Sequence, residues 1–273
     1  PSSTPRHPPP YHQAVVLAGK TDAKQSYARG DGLTSSVVGV PASFAIVACD
    51  VHGNERSTCG DNFQVSLSGP ALDDHRASEV AHGRSRVHAL VSEYANGTYT
   101  VEYTVTVAGL YYVMVTLGGE PIQGAPFRMQ AFPAKTRASH SVAHGVGLSV
   151  ATAGVYTEFS LLAKDTYGND ETKSSEGNFS VAFRNSATGG VSAPAAIDDS
   201  LRGLYTVGYV PREAGIYSVD VKYNRMPIFG SPYTLLVRPG RADVTKSRLA
   251  CGDHAECLTA VAGDAHVIYL HGH

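Results

Sequence analysis

The stretch GTYTVEY at residues 97–103 decides the fold, because the chain repeats it as GLYTVGY at residues 203–209. In both copies large apolar side chains stand at every second position, which is the period of a strand with one face in a core. Tyr99, Val101 and Tyr103 therefore share one face of a strand. We predict that the same strand occurs twice, in two copies of one domain.

Two further motifs recur around this strand in the same order. The segment DVHGN at residues 50–54 returns as DTYGN at 165–169, and PIQGAPF at 121–127 returns as PIFGSPY at 227–233. The separations are 165 − 50 = 115 and 227 − 121 = 106 positions. Three markers in one order, at nearly one spacing, indicate an internal repeat.

Other apolar runs alternate in the same way and are separated by turn residues. Residues 63–67 and 179–183 read FQVSL and FSVAF, and residues 111–115 and 217–221 read YYVMV and YSVDV. Gly, Pro, Asn and Asp fall between such runs, where the chain must reverse. The pattern predicts an all-β fold of antiparallel β-sandwiches.

Composition limits the partners of the chain. A length of 273 residues suits about two domains of roughly 100 residues each. Formal net charge is −2 and the 22 basic residues are scattered, so we expect no nucleic-acid partner. No apolar run approaches the roughly 20 residues that span a bilayer, so we expect no direct membrane insertion.

Taken together, the motifs resemble the filamin-type immunoglobulin-like repeat. The first is an apolar strand that runs into an Asp-x-x-Gly-Asn turn, and the second is Gly-x-Tyr-x-Val-x-Tyr followed by Ala-Gly-x-Tyr. The third is a Gly-small-Pro-aromatic start to the last strand. The resemblance implies tandem immunoglobulin-like β-sandwiches in an elongated array. The motifs lie at residues 44–54 and 159–169, 97–111 and 203–217, and 124–127 and 230–233.

The repeats divide the chain into four predicted parts. Residues 1–27 read as the tail of a preceding repeat or a linker, and residues 28–133 as the first repeat. Residues 140–240 form the second repeat, and residues 241–273 the start of an incomplete third repeat. We therefore expect the fragment to be part of a longer chain, with semi-rigid linkage between its repeats.

The resemblance also implies a binding mode for protein partners. Partner peptides add a strand to the third strand of a filamin-type repeat and pack over the groove between it and the fourth strand. The outward-facing residues would be Gln64 and Ser66 in the first repeat, and Ser180, Ala182 and Arg184 in the second. The alternative is an ordinary solvated sheet edge.

One segment distinguishes the two repeats. Phe63 and Tyr99 are 99 − 63 = 36 positions apart, whereas Phe179 and Tyr205 are 205 − 179 = 26 positions apart. Residues 71–90 could be drawn as a helix, but a histidine, a glycine and several serines interrupt its apolar stripe, so we expect a longer loop. If this loop covers the first groove, peptides bind the second repeat first.

Four cysteines form two local pairs, Cys49 with Cys59 and Cys251 with Cys257. Both pairs are disulfide candidates of the kind that an oxidising compartment produces. The alternative is four reduced thiols. Zinc is disfavoured, because neither pair has Cys-x-x-Cys spacing.

Two sequons offer glycosylation candidates, at Asn96 and Asn178. Asn96 also stands before a glycine, where a tight turn wants it, so the sequon alone does not establish a location. The tripeptide RGD at residues 29–31 has the letters of an integrin-binding motif. A glycine is expected at this entry to the repeat in any case.

No chemical cluster supports catalysis, a cofactor or a metal site. His266, His271 and His273 lack a matched carboxylate or cysteine, so we interpret them as solvated histidines. No Ser-His-Asp constellation or phosphate-binding loop recurs in the repeats. The carboxylates Asp50 and Asp165 are interpreted as shaping a corner of the chain. We therefore expect a non-enzymatic protein that uses no cofactor.

The sequence thus favours a module that serves as a semi-rigid spacer and a protein-interaction platform. Two settings compete. Family prevalence favours an intracellular cytoskeletal or axonemal scaffold, in the cytoskeleton or a cilium. The paired cysteines and sequons favour a cell-surface or adhesion protein, and on this sequence we lean to the second. An enzyme is the third and least supported class.

Overall fold

The structure is a computed structural model in which two compact units divide at Pro133. Each unit is an antiparallel β-sandwich, which confirms the predicted all-β fold. Short 3-10 helices occur at Asp31–Leu33 and Val146–Leu148. The described residues are 17–70, 89–172, 178–192, 196–198, 203–241, 248–250 and 269–271.

Nine strands build the first unit. One sheet has the order β1-β3-β6-β5, and the other has the order β2-β9-β7-β4 with β8 paired to β7. All pairs are antiparallel except β2 with β9, which run parallel. The strands are β1 (Thr21–Arg29), β2 (Ser35–Val37), β3 (Ala42–Asp50), β4 (Phe63–Ser68), β5 (Leu90–Ala95), β6 (Thr98–Tyr103), β7 (Gly109–Leu117), β8 (Glu120–Pro121) and β9 (Phe127–Phe132).

The second unit repeats this topology with one addition. Its sheets have the orders β10-β12-β16-β15 and β11-β19-β17-β13-β14, with β18 paired to β17. Strand β14 has no counterpart among the described residues of the first unit. The strands are β10 (Val142–His144), β11 (Val150–Thr152), β12 (Thr157–Leu162), β13 (Phe179–Asn185), β14 (Val191–Ser192), β15 (Ala196–Asp198), β16 (Leu204–Tyr209), β17 (Gly215–Tyr223), β18 (Met226–Pro227) and β19 (Tyr233–Arg238).

The predicted apolar faces form the two cores. In strand β6, Tyr99, Val101 and Tyr103 are all buried, as are their counterparts in β16. The hydroxyl of Tyr103 donates a hydrogen bond to the carbonyl of Gly32, and that of Tyr209 donates to Gly147 in the same way. Each tyrosine therefore buries its ring without leaving its hydroxyl unpaired.

The Asp-x-x-Gly-Asn turn anchors the start of each unit. The buried Asp50 carboxylate accepts hydrogen bonds from the backbone N–H of Asn54 at 3.0 Å and of Gly19 at 2.9 Å. Asp165 accepts in the same way from Asn169 at 3.0 Å and from Ala134 at 2.9 Å. The two carboxylates thus fasten the incoming chain to the sandwich.

These contacts correct the predicted boundaries. Residues 21–27 lie in β1, which pairs with β3, so they belong to the first repeat and not to the tail of a preceding one. The second repeat begins by Ala134 and not at residue 140, since Arg137 N–H also donates to the Lys164 carbonyl at 2.8 Å. The sequence pattern missed both starts, because the N–H groups that attach these segments belong to the backbone and leave no mark in the side-chain pattern.

Beyond the second repeat, two short strands pair with each other. They are β20 (Arg248–Ala250) and β21 (Tyr269–His271), and their pairing is antiparallel. Strands β10 and β12 of the second repeat pair in the same sense. The third repeat predicted over residues 241–273 stays a prediction, because most of that range lies outside the described residues.

Candidate peptide-binding edges

Strand β4 forms one edge of its sheet. It pairs with β7 on one side, and no other strand of the described residues pairs with it. Edge strands carry N–H and C=O groups that point away from the sheet and can accept another strand. Strand β4 is thus a candidate site for strand addition.

The hydrogen bonds identify which backbone groups of β4 point outward. Val65 lies opposite Val115 of β7, and the Val115 carbonyl accepts from Ile122 N–H at 3.1 Å, on the far side from β4. The two residues therefore do not exchange hydrogen bonds, and the N–H and C=O of Val65 face the open edge. By alternation, the same groups of Phe63 and Leu67 face that edge too.

Strand β13 has the same register but a shorter open edge. Val181 lies opposite Val221 of β17, whose carbonyl accepts from Ile228 N–H at 3.1 Å. Strand β14, however, pairs along the end of β13, with Phe183 opposite Ser192. Of the outward-facing backbone groups, only those of Phe179 and Val181 are left without a described strand partner.

Half-buried apolar side chains line the space beside both edges. In the first repeat they are Val65 on β4 and Val91 on β5, and the two strands contact each other at the side of the sandwich. In the second repeat Val181 and Ile197 pack against the core while staying partly exposed. An added strand would cover such side chains with its own inward-facing residues.

The predicted outward residues do face solvent. Gln64 and Ser66 are exposed on β4, and Ser180, Ala182 and Arg184 are exposed on β13. Arg184 needs a correction as part of an open edge, because it already lies opposite Val191 of β14. The role of these five residues in binding stays a prediction.

Asn185 builds the turn that brings β14 back onto β13. Its side-chain oxygen accepts hydrogen bonds from the backbone N–H of Ala187 at 2.9 Å and of Thr188 at 3.3 Å. Asn185 also donates its own N–H to the Gly190 carbonyl at 2.8 Å, and Gly189 adopts a φ of 70°. This hairpin was not predicted from the sequence, although a Gly-Gly pair after a strand is a known turn signal.

Cys49 and Cys59, the first pair of disulfide candidates, are free thiols in the structure. Cys49 is buried in β3, and burial raises the pKa of its thiol, with Glu55 and Asp50 adding to the effect. Cys59 directs its sulfur toward the Thr98 carbonyl, 3.9 Å away. The bridge between Cys49 and Cys59 is therefore not formed, and Cys251 and Cys257 lie outside the described residues.

The remaining candidates keep their structural explanations. Asn96 is exposed in a tight turn with a φ of 49°, and Asn178 is exposed just before β13. Gly30 of the RGD tripeptide has a φ of 131°, and a Cβ there would approach Phe44 Cα to 3.0 Å, so the fold requires the glycine. Glycosylation at the two asparagines stays a prediction.

Of the three histidines near the end of the chain, only one lies among the described residues. His271 lies in β21, and His266 and His273 are outside the described residues. Within the part of the chain that the structure describes, no three His, Cys, Asp or Glu side chains group to hold a metal ion. The same described residues include no helix long and apolar enough to cross a membrane.

In a comparison with known families, each of the two sandwiches matches the same type of repeat. The family model described as Filamin/ABP280 repeat matches residues 20–128 and 135–234, which is most of the chain. The chain belongs to the filamin repeat family. This confirms the predicted resemblance, and the matched ranges agree with a first repeat that includes β1.

Relatives of these filamin repeats include large proteins. The chain is 30% identical over 178 residues to Filamin-C of Rattus norvegicus, covering 64% of this chain and 6% of that protein. It is 25% identical over 233 residues to Filamin-A of Drosophila melanogaster, covering 85% and 9%. Tripartite motif-containing protein 3 of Rattus norvegicus is 29% identical over 117 residues, covering 43% and 14%.

The chain thus spans 6% to 14% of the length of these three relatives. Among solved structures, invasin, described as a bacterial integrin-binding protein, matches with a TM-score of 0.53 at 14% identity. The match covers 85% of this chain and 42% of that one. At this identity the likeness concerns the fold alone.

Proposed function

We propose that this chain is a non-enzymatic filamin-repeat module of a larger protein, and that it serves as a semi-rigid spacer and binds extended peptides by strand addition. The observation that carries the proposal is the edge of β4. There Val65 presents its N–H and C=O away from the sheet, beside half-buried apolar side chains. A peptide strand would satisfy the backbone groups and cover the apolar surface.

The structure supports an order of preference between the repeats that reverses the sequence prediction. The loop expected to cover the first groove lies mostly outside the described residues, at 71–88. In the second repeat, strand β14 already pairs with part of the edge of β13. We therefore propose that peptides bind β4 before β13.

A proline on the open edge tests the binding mode. Val65→Pro removes an N–H that faces outward and leaves the ladder to β7 in place, whereas a proline at Ala182 would remove an N–H that faces β17. The probe is a lysine-flanked peptide of alternating valine and serine, titrated into the whole chain with NMR detection of backbone amides.

We expect the probe to shift the amide signals of Phe63, Val65 and Leu67 in the unchanged protein. Val65→Pro should weaken binding at this edge about tenfold or more, because the strand loses an N–H donor to the bound peptide. Val65→Ala is the matched control, since it shortens the side chain and keeps the N–H. Equal affinity of the proline and alanine variants would rule out strand addition at β4.

The setting of the module is a separate part of the proposal. Free thiols at Cys49 and Cys59 remove one of the two cysteine pairs that favoured a cell-surface protein, and the relatives named filamin favour a cytoskeletal scaffold. We therefore propose the intracellular setting ahead of the cell surface. Intact mass of the native protein decides between them: a gain of two hydrogens per bridge on reduction, or a loss of glycan mass with glycosidase, would favour the cell surface.

A further inference from the structure

Strand β14 occupies the place that a partner strand would take on the second repeat. It lies antiparallel to β13, with Arg184 opposite Val191 and Phe183 opposite Ser192. The outward-facing N–H of Asn185 is also used, because it donates to the Gly190 carbonyl at 2.8 Å. The chain itself thus fills about half of the edge that a bound peptide would need.

The strand that fills this edge is weakly held by packing. It contains two residues, and the Val191 side chain is 65% exposed. Isolated two-stranded hairpins of this size have marginal stability in water. The hairpin must therefore owe its position largely to its turn.

The turn depends on Asn185, which is 6% exposed. Its side-chain oxygen accepts the N–H groups of Ala187 and Thr188 and fixes the first half of the turn. Thr188 Oγ1 then accepts Gly190 N–H at 3.2 Å. This is an Asx turn, in which an asparagine replaces a backbone acceptor and reverses the chain.

The first repeat has a different residue at the equivalent position. Gly69 stands where the second repeat has Asn185, at 185 − 69 = 116 positions, the same offset that relates Phe63 to Phe179. A Cβ at Gly69 would lie 2.1 Å from Tyr111 Cε1. A side chain that could start an Asx turn is thus excluded there unless the Tyr111 ring moves.

We propose that Asn185 determines which of the two edges accepts a partner, by holding β14 as a built-in cap on the second repeat. This inference rests on the proposed function of the edges as sites of strand addition. With the cap in place, β13 offers a partner only the backbone groups of Phe179 and Val181. Without it, β13 would also present the outward-facing groups of Phe183 and Asn185, and its edge would be at least as long as that of β4.

Amide hydrogen exchange of the whole chain tests the cap directly. In Asn185→Ala, we expect the exchange of the Phe183 amide to rise about tenfold or more, while the Ser180 amide, which faces β17, keeps its rate. Ser186→Ala lies in the same turn and preserves both Asn185 side-chain bonds, so it should leave these rates unchanged. Unaltered exchange at Phe183 in Asn185→Ala would overturn the proposal.

Binding of the valine-serine probe tests the consequence. The unchanged protein should bind the probe at β4 alone, and Asn185→Ala should gain a second site, seen as shifts of the Phe179, Val181 and Phe183 amides. An opened cap with no second site, while β4 still binds, would overturn the role of Asn185. Absence of binding at β4 would instead overturn the proposed function, and the exchange rates would still decide whether Asn185 holds the cap.

A second variant covers the case in which Asn185→Ala does not fold. Ser192→Pro removes the N–H opposite Phe183 and leaves the buried asparagine in place. It should free the edge of β13 and give the same second site. If Ser192→Pro exposes the Phe183 amide and the probe still does not bind β13, the cap does not determine which edge binds a peptide.

Discussion

The edges of β4 and β13 differ although the strands themselves match. Both run antiparallel to a nine-residue strand in the same register, and both place a half-buried valine at the centre of the edge. The difference arises at the end of the strands, where Gly69 directly follows β4 and Asn185 is the last residue of β13. Two copies of one sandwich therefore differ in how much of this edge is paired within the chain, because different turns follow strands of matching register.

The largest expected effect concerns the corner that both repeats share. Asp165→Ala removes the acceptor for the N–H groups of Ala134, Tyr167 and Asn169, and the free energy of unfolding of the second repeat should fall by about 3 kcal/mol. Urea denaturation measures the loss. Asp170→Asn, at an exposed position, is the control. An equal loss in both variants would mean that the Asp165 carboxylate contributes no more to stability than an exposed one.

Acid should affect the matching corner of the first repeat. Hydrogen bonds from the Asn54 side chain and from Gly19 N–H hold the pKa of the Asp50 carboxyl well below its usual range. The ionised form thus stabilises the fold above pH 4, and that contribution is lost as pH falls further. Thermal melting from pH 7 to pH 2 should show a flatter acid dependence in Asp50→Asn than in the unchanged protein.

Gly69 tests the residue at which the two repeats diverge. Gly69→Ala should destabilise the first repeat by about 2 kcal/mol, because the new Cβ meets the buried ring of Tyr111. The Tyr111 hydroxyl donates to the Val107 carbonyl at 2.9 Å, which restrains the ring. Ser68→Ala is the neighbouring control. Unchanged stability would mean that the ring moves aside and that glycine is not what separates the repeats.

The buried tyrosines should behave alike in both repeats. Burial raises the pKa of Tyr103 and of Tyr209 to about 12, so their contribution is complete below pH 10 and is lost as pH rises toward 12. Phenylalanine at either position should cost about 1 kcal/mol at neutral pH, since Gly32 or Gly147 loses a donor. The free energy of unfolding, measured as the pH is raised from 7 to 12, would show whether the two tyrosines contribute unequally to stability.

The smallest effect concerns a contact found in the first repeat. The Tyr27 hydroxyl donates to Glu55 Oε1 at 2.8 Å on the surface, whereas the equivalent position in the second repeat is Val142. Tyr27→Phe should change the free energy of unfolding by less than about 0.5 kcal/mol. A loss above 1 kcal/mol in a urea titration would make this surface contact a real difference between the repeats.

Much of the fold could be predicted from local patterns. Alternation placed Tyr99, Val101 and Tyr103 on one buried face, and the recurring Asp-x-x-Gly-Asn turn marked the same corner twice. These features follow from the period of a strand and from turn chemistry, which act over a few residues. The start of the first repeat was missed because β1, a nine-residue strand with a bulge, shows little apolar alternation.

The candidate site was only partly predictable. The exposed side chains of β4 and β13 followed from alternation, but strand β14 and the role of Asn185 did not. Alternation assigns side chains to faces and leaves open which neighbour a backbone N–H meets. Proximity in sequence also suggested a bridge between Cys49 and Cys59. In the structure both thiols are free, and the Cys59 sulfur is directed toward the Thr98 carbonyl.

The sequence by itself determined that the chain is a tandem of two β-sandwiches. Apolar periodicity and turn residues are local properties, and both are found separately in each copy. Among the residues that the structure describes, the tertiary structure alone decided which edge has no neighbouring strand. Edge groups are free or paired according to which strand lies beside them, and that depends on where the chain goes after the strand ends. In the second repeat a buried asparagine turns the chain back onto the edge, and in the first a glycine stands at that point.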